Sequence, residues 1–247
     1  METPSGYKKY DGHTDFVRAV VTTRLQGKDV LVSGGADAQI LVFDIASGER
    51  LSVMKGHAKG IQGLVVDPVS LDSDSQELVV FSSGSDREIR RFDIASGSKD
   101  LTGTDAILVH DTNVYKLFFD RDADLWTASA DKSAKCLVRE EGWKPNLTLT
   151  HPDFVRDVVV YEQGGWVVTA CRDEEVREVT GLVLLGSTLV SVSIDATIRR
   201  WSLRPEDLQV AVERAKNTSI DEEPEPNPGS MLTEEEEREL AELLEDD

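Results

Sequence analysis

Five segments of this chain align on one aspartate each, and a chain that repeats itself in this way must fold by stacking similar units. The segments are Ser33 to Asp44, Ser82 to Asp93, Thr127 to Val138, Thr169 to Thr180 and Ser191 to Ser202. Their shared aspartates are Asp37, Asp86, Asp131, Asp173 and Asp195, spaced 49, 45, 42 and 22 residues apart. A histidine precedes four of them by 21 to 29 residues: His13, His57, His110 and His151, all the histidines of the chain. Each histidine leads into a short apolar run, DFVRAVV, GIQGLVV, NVYKLFF and DFVRDVVV in turn. These runs are brief, rich in β-branched residues and bounded by Gly, Asp and Ser, which predicts strands. The stretch Phe43-Asp44-Ile45-Ala46-Ser47-Gly48 recurs as Phe92-Asp93-Ile94-Ala95-Ser96-Gly97, with Ser-Gly at the reversal. No helical periodicity of useful length precedes Pro205.

The pattern resembles the WD40-repeat β-propeller family over about Tyr10 to Leu203. Gly12-His13 and Gly56-His57 match its Gly-His pair, and Phe43-Asp44, Phe92-Asp93 and Trp201-Ser202 are weakened forms of its Trp-Asp dipeptide. A four-stranded blade has a period of about 40–45 residues, so the repetition is more specific than any single motif. The resemblance implies an all-β fold, a WD40-type β-propeller that is incomplete at about four and a half blades. It also implies a structural hydrogen-bond chain in each blade, from His to Ser or Thr, to the turn Asp and to Trp. Carried over by position, the chain comprises His13, Ser33 and Asp37; His57, Ser82 (or Ser83) and Asp86; His110, Thr127 and Asp131; His151, Thr169 and Asp173; and Asp195 with Trp201. Phe43 and Phe92 stand where the indole donor is expected, which shortens those chains.

The last aspartate spacing, 22 residues, is half a repeat. Val179 to Leu184 aligns with Ile61 to Val66, which leaves about 20 residues missing between Val176 and Thr180 by that register. A splice form or faulty gene model, completion by a partner or second copy, and closure as a small distorted ring each account for the loss; the first is preferred. An open propeller exposes strand edges, so self-association or a partner is expected to cover them. Val17, Ile61, Val114 and Val155 are expected to point into the blades. Their flanking positions line the family's top face: Phe16 and Arg18, Gly60 and Gln62, Asn113 and Tyr115, Phe154 and Arg156, with Arg172. The set Phe16, Arg18, Tyr115, Phe154, Arg156 and Arg172 suits an acidic or phosphorylated peptide. The competing reading pairs Arg18 and Arg156 with Asp15, Asp153 or Asp157 between blades.

Composition narrows the function classes. The formal net charge is -20, and Asn217 to Asp247 holds 13 acidic residues and one Arg, so -12 of it lies there and -8 in the rest. Such a chain repels nucleic acid and anionic membrane and suits protein partners. Cys136 and Cys171 lack metal-type spacing and read as reduced, buried thiols of an intracellular protein, cytoplasmic or nuclear. Histidines and aspartates distributed one per repeat do not converge as catalysis requires, and no nucleotide loop or Gly-flanked nucleophile is present. No catalytic, cofactor or metal residue is therefore assigned. The expected organisation is a partial propeller over 1–204, a packing helix over 205–216, an acidic Pro-rich linker over 217–230 and an acidic tail over 231–247. In the tail, Thr233 and Glu236 form a capping box ahead of Leu240, Leu243 and Leu244, a candidate partner-docking stripe. The expected function is a non-enzymatic scaffold or adaptor in an intracellular complex. The alternatives are an acidic chaperone or assembly factor for a ribosomal protein or histone, a ubiquitin-ligase substrate receptor, and, least favoured, an enzyme.

Overall fold

The computed structural model describes residues 8–71, 77–96, 100–102, 106–172 and 179–218. The chain divides at Leu203 into a β unit and a second unit that begins at Arg204.

The β unit consists of five sheets laid down in chain order. The first contains β1 (Val17–Leu25), β2 (Lys28–Gly35), β3 (Ile40–Asp44) and β4 (Arg50–Lys55). The second contains β5 (Ile61–Val66), β6 (Val79–Gly84) and β7 (Ile89–Asp93). The next strand, β8 (Asp100–Thr102), does not join the second sheet but runs parallel to β4 as a fifth strand of the first. Beside β7 stands only a single bridge, Ile107 to Ile89. The third sheet contains β9 (Val114–Phe119), β10 (Leu125–Ser129), β11 (Ser133–Val138) and β12 (Lys144–Thr150). The fourth shows β13 (Val155–Tyr161) and β14 (Trp166–Cys171), and the fifth β15 (Val179–Leu185), β16 (Thr188–Ser193) and β17 (Ile198–Ser202). The inner strands neighbour one another in the order β1, β5, β9, β13, β15. This is an all-β propeller that is incomplete: among the described elements β1 and β15 share no comparable packing. The suspected loss between Val176 and Thr180 falls largely on 173–178, outside the described residues.

Local chemistry explains the hairpins. Leu25 pairs with Lys28 across Gln26-Gly27, whose φ values of 50° and 80° make the left-handed two-residue turn that matches strand twist. Each inner strand carries the same irregularity near its start, at Val17/Ala19, Ile61/Gly63, Val155/Asp157 and Val179/Gly181, and opposite Ala128/Ser129 for β9. The five units are thus superimposable in register, and a residue of one has an equivalent in every other.

Three apolar clusters lie between successive sheets. Ile40 of the first sheet packs with Ile61 of the second, Ile89 of the second with Val114 of the third, and Ala134 of the third with Val155 of the fourth. A Cβ at Gly34 would stand 2.5 Å from Ile61 Cγ2, so glycine is what lets the first two sheets close on each other. An ion pair adds to the second joint. Arg139, at the end of the third sheet, donates to both carboxylate oxygens of Asp67 in the second, one at 3.0 Å, with its guanidinium over Trp143.

The second unit opens with helix α1 (Pro205–Thr218). Proline at its start needs no hydrogen-bonded N–H, and Glu206 and Asp207 complement the positive end of the helix dipole. No helix among the described residues is long and apolar enough to cross a membrane. Residues 219–247, with the capping box and Leu240, Leu243 and Leu244, lie outside the described residues.

Candidate functional site

Asp37, Asp86, Asp131 and Asp195 sit in the turns between the second and third strands of their sheets. The residue after each takes a left-handed conformation without being glycine: Ala38 (φ 63°), Arg87 (φ 75°), Lys132 (φ 68°) and Ala196 (φ 63°). Such a backbone costs a non-glycine residue about 1–2 kcal/mol. The aspartate offsets this by accepting the N–H two residues on, from Gln39 (3.1 Å), Glu88 (3.2 Å), Ser133 (3.0 Å) and Thr197 (2.9 Å).

In three units the same carboxylate also holds a histidine. His13 Nδ1 lies 3.0 Å from Asp37, His57 Nδ1 2.9 Å from Asp86 and His110 Nδ1 2.7 Å from Asp131. A carboxylate only accepts, so Nδ1 carries the proton and Nε2 of the neutral ring is an acceptor. Hydroxyls supply that second bond: Ser33 at 2.9 Å, Ser82 at 2.7 Å and Thr127 at 2.7 Å. The carboxylate further accepts the backbone N–H after its histidine, from Thr14, Ala58 and Asp111. Each set therefore ties the chain entering one inner strand to the turn two strands later.

Electrostatics follow from this geometry. Burial opposes the charge of Asp131, but hydrogen bonds from His110 and Ser133 outweigh it and hold its carboxyl well below the usual range. At Asp37 burial is again outweighed, by the N–H groups of Thr14 and Gln39 and by His13. Burial lowers the His57 imidazole, and Asp86 only partly restores it.

The fourth and fifth units differ. The Nε2 atom of His151 is buried without a hydrogen-bond partner among the described residues, so His151 and Thr169 are not brought together; Asp173 lies outside the described residues. In the fifth unit Trp201 Nε1 donates to Ser191 Oγ at 2.9 Å, while Asp195 bonds within its own turn, to Thr197 and Arg199. Ser191 was not singled out from the sequence, although the register that equates it with Ser33 and Ser82 was readable there. At the indole position the first three units place Phe43, Phe92 and Leu137, all buried.

The positions assigned to one face are equivalent in the structure. The N–H groups of Ala36, Ser85, Ala130 and Arg172 donate to the carbonyls of Phe16, Gly60, Asn113 and Phe154, at 2.7, 2.9, 3.0 and 3.4 Å. On the third and fourth sheets these positions build a cluster. The Arg156 guanidinium lies 4.3 Å from the ring centre of Tyr115 and 5.9 Å from that of Phe154. Arg172 approaches Asp153 at 3.7 Å. Phe16 and Arg18 hold the corresponding places on the first sheet and are exposed, Phe16 by 78%. Gln62 donates to Ser85 at 2.6 Å, beside a shallow cleft of about 350 Å³ lined by Lys59, Arg87, Thr112 and Asn113.

Two groups have metal-compatible proximity, His57 with Asp86 and Glu88, and Asp120 with Asp124 and Cys136. The protein accounts for both. His57 is engaged on both nitrogens, and Glu88 accepts from Arg90. Asp120 accepts from the Trp126 indole and the Asp124 amide, and burial beside Asp124 and Asp120 pushes the Cys136 thiol up to about 11, which keeps it protonated.

No family model matches the chain. It is 33% identical over 258 residues to an uncharacterized WD repeat-containing protein of Schizosaccharomyces pombe, a match that takes in 95% of this chain and 65% of the relative. It is 28% identical over 196 residues to pre-mRNA-processing factor 19 homolog 2 of Arabidopsis thaliana, covering 73% of this chain and 37% of that protein. The chain thus spans under two thirds of either relative. The yeast match is longer than this 247-residue chain, so residues of the relative fall inside it without a counterpart here.

Proposed function

Because the chain belongs to the WD40-repeat β-propeller family, we propose that it is a non-catalytic scaffold whose aspartate-bearing end grips an acidic or phosphorylated segment of a partner protein. Relatedness to WD-repeat proteins supports protein-interaction scaffolding in general. The finer reading is carried by one observation, the Arg156 guanidinium stacked on Tyr115 and Phe154, in a chain of net charge -20. Stacking holds a guanidinium in one orientation, which lowers the entropy lost when it pairs with carboxylate or phosphate. His13, His57 and His110 support the non-catalytic side of the reading, since each is committed to its own turn.

The test is the triple substitution Arg18→Ala, Arg156→Ala and Arg172→Ala, with partner capture compared against the wild type at equal melting temperature. A charge-assisted bond is worth about 1.5–3 kcal/mol, so at least one partner should weaken by roughly tenfold or more. An unchanged partner set and unchanged affinities would defeat the proposal.

A further inference from the structure

The register equivalence of the five sheets also shows where the propeller lacks neighbours. At the first position of the inner strands, Ile61, Val114 and Val155 are 0% exposed and Val179 is half-buried, while the equivalent Val17 is 51% exposed. Three residues on, Leu117, Val158 and Leu182 are 2%, 0% and 7% exposed, and Val20 is 58%. Ile61 and Leu64 both reach back against Gly34 of the preceding sheet, so this face of an inner strand packs onto the sheet before it. Among the described residues no sheet precedes the first.

The fifth sheet shows the opposite half of the same joint. The counterparts of Gly34 are Ala128, 0% exposed, Ala170, 2%, and Val192, 40%. Three residues after the turn aspartate, in the third strand, Ile40, Ile89 and Ala134 are 1%, 0% and 0% exposed, and Ile198 is 75%. In the first three of the four interior joints the residue at the Ile198 position shares a buried apolar cluster with the residue at the Val17 position of the next sheet: Ile40 and Ile61, Ile89 and Val114, Ala134 and Val155.

We infer that a second copy of this chain docks head to tail, with Val192 and Ile198 of one copy seated on Val17 and Val20 of the other. The occupant follows from the repeat itself. The two uncovered faces are the two halves of a joint that the chain already makes between its own sheets, so a copy of the chain carries the matching surface. Such a contact uses different surfaces on the two copies, and it either closes a ring or continues. It involves neither Arg156 nor Arg172, so it stands or falls independently of the peptide-binding reading.

The test is light scattering on the whole chain in moderate salt, which screens the like charge of the copies. The wild type should have at least twice the mass of one chain. Val17→Glu alone and Ile198→Glu alone should each be monomeric, because every joint then contains one charged half. An equimolar mixture of the two variants should form a one-to-one pair, through the single joint whose halves are both intact. Val20→Glu and Val192→Glu repeat the experiment at the neighbouring exposed positions, should either first variant lose its β circular dichroism. A wild type with the mass of one chain at the same concentration would overturn the inference. So would a mixture that stays monomeric while the wild type associates, or a single variant that associates alone as the wild type does, since a symmetric contact between identical edges leaves one variant with both contacting edges intact.

Discussion

Replacing His110 and His151 separately by alanine asks whether the histidines hold the sheets together, because the two occupy equivalent places and differ in their bonds. His110 has a fully buried side chain and bonds Asp131 and Thr127, each at 2.7 Å. A hydrogen bond to a charged acceptor contributes about 1.5–3 kcal/mol and a neutral one about 0.5–1.5. Their loss adds to about 2–4.5 kcal/mol before any cavity is counted, and Asp131 and Thr127 are left with unmet valences. His151 has a buried Nε2 atom with no partner among the described residues, so its removal forfeits packing but no hydroxyl bond at that nitrogen; a smaller loss, about 1 kcal/mol, is expected. Urea unfolding followed by circular dichroism, with equal m-values confirming a common unfolded reference, reads the difference. His110→Ala should unfold at lower urea than His151→Ala by an interval worth about 2 kcal/mol or more. The milder Thr127→Val, which removes only the hydroxyl, should fall between them. Equal losses at His110 and His151 would refute the claim that hydrogen bonding, rather than bulk, is what these residues contribute.

The other predictions concern charge. His57 is lowered by burial, so its folded form prefers to be neutral; the stability this carries is full above the ordinary histidine pKa of about 6.5 and falls as pH drops toward the lower folded value. Proton NMR titration of the four histidines should find His57 among those titrating below that value, and an ordinary or raised pKa there would contradict the burial argument. For Asp131 the folded pKa is depressed, so its contribution persists above about pH 4 and is lost only in stronger acid. At the Asp67–Arg139 pair Asp67 is 2% exposed, so Arg139→Ala leaves a buried carboxylate unpaired and should cost about 3–5 kcal/mol. Asp67→Ala added to Arg139→Ala should cost far less than it does alone; additive losses in that double-mutant cycle would mean the two groups do not interact.

The fold was legible because its signal is periodic. One aspartate per unit, and in four units a histidine followed by a short apolar run, report the turn and the inner strand directly, and Ile61, Val114 and Val155, read as inward-pointing, need only the strand period. The same reading failed for Val17. A strand pattern says which face is apolar, but not whether another sheet lies beyond it; among the described residues none covers Val17, which is 51% exposed. The transfer of β8 to the edge of β4 was equally invisible, since three residues of strand carry no pairing information and parallel association with a neighbouring sheet leaves no turn signature. His151 looked like its three counterparts because sequence position records where a ring begins, not whether a hydroxyl reaches its far nitrogen. Ser191 was overlooked because the expected chain was sought from its histidine, which the fifth unit lacks.

That missing histidine separates two roles the aspartate otherwise performs together. In the fifth unit Asp195 accepts the Thr197 N–H at 2.9 Å, and Ala196 keeps a φ of 63°, with no imidazole present. Turn formation therefore does not depend on the histidine. The first three units add the imidazole to a turn that is already complete, and the addition brings in the chain just ahead of the inner strand through the N–H groups of Thr14, Ala58 and Asp111. The hydroxyl position divides in the same way. Ser33, Ser82 and Thr127 serve a histidine with a phenylalanine or leucine nearby, and Ser191 serves Trp201 with no histidine at all. A hydroxyl can meet either neighbour alone, so the hydrogen-bond chain survives as halves, and no unit among the described residues holds a complete one. What the histidine half adds is attachment of each inner strand to the sheet it opens, and the fifth sheet, which has only the tryptophan half, is also the one whose third strand is exposed along its whole length.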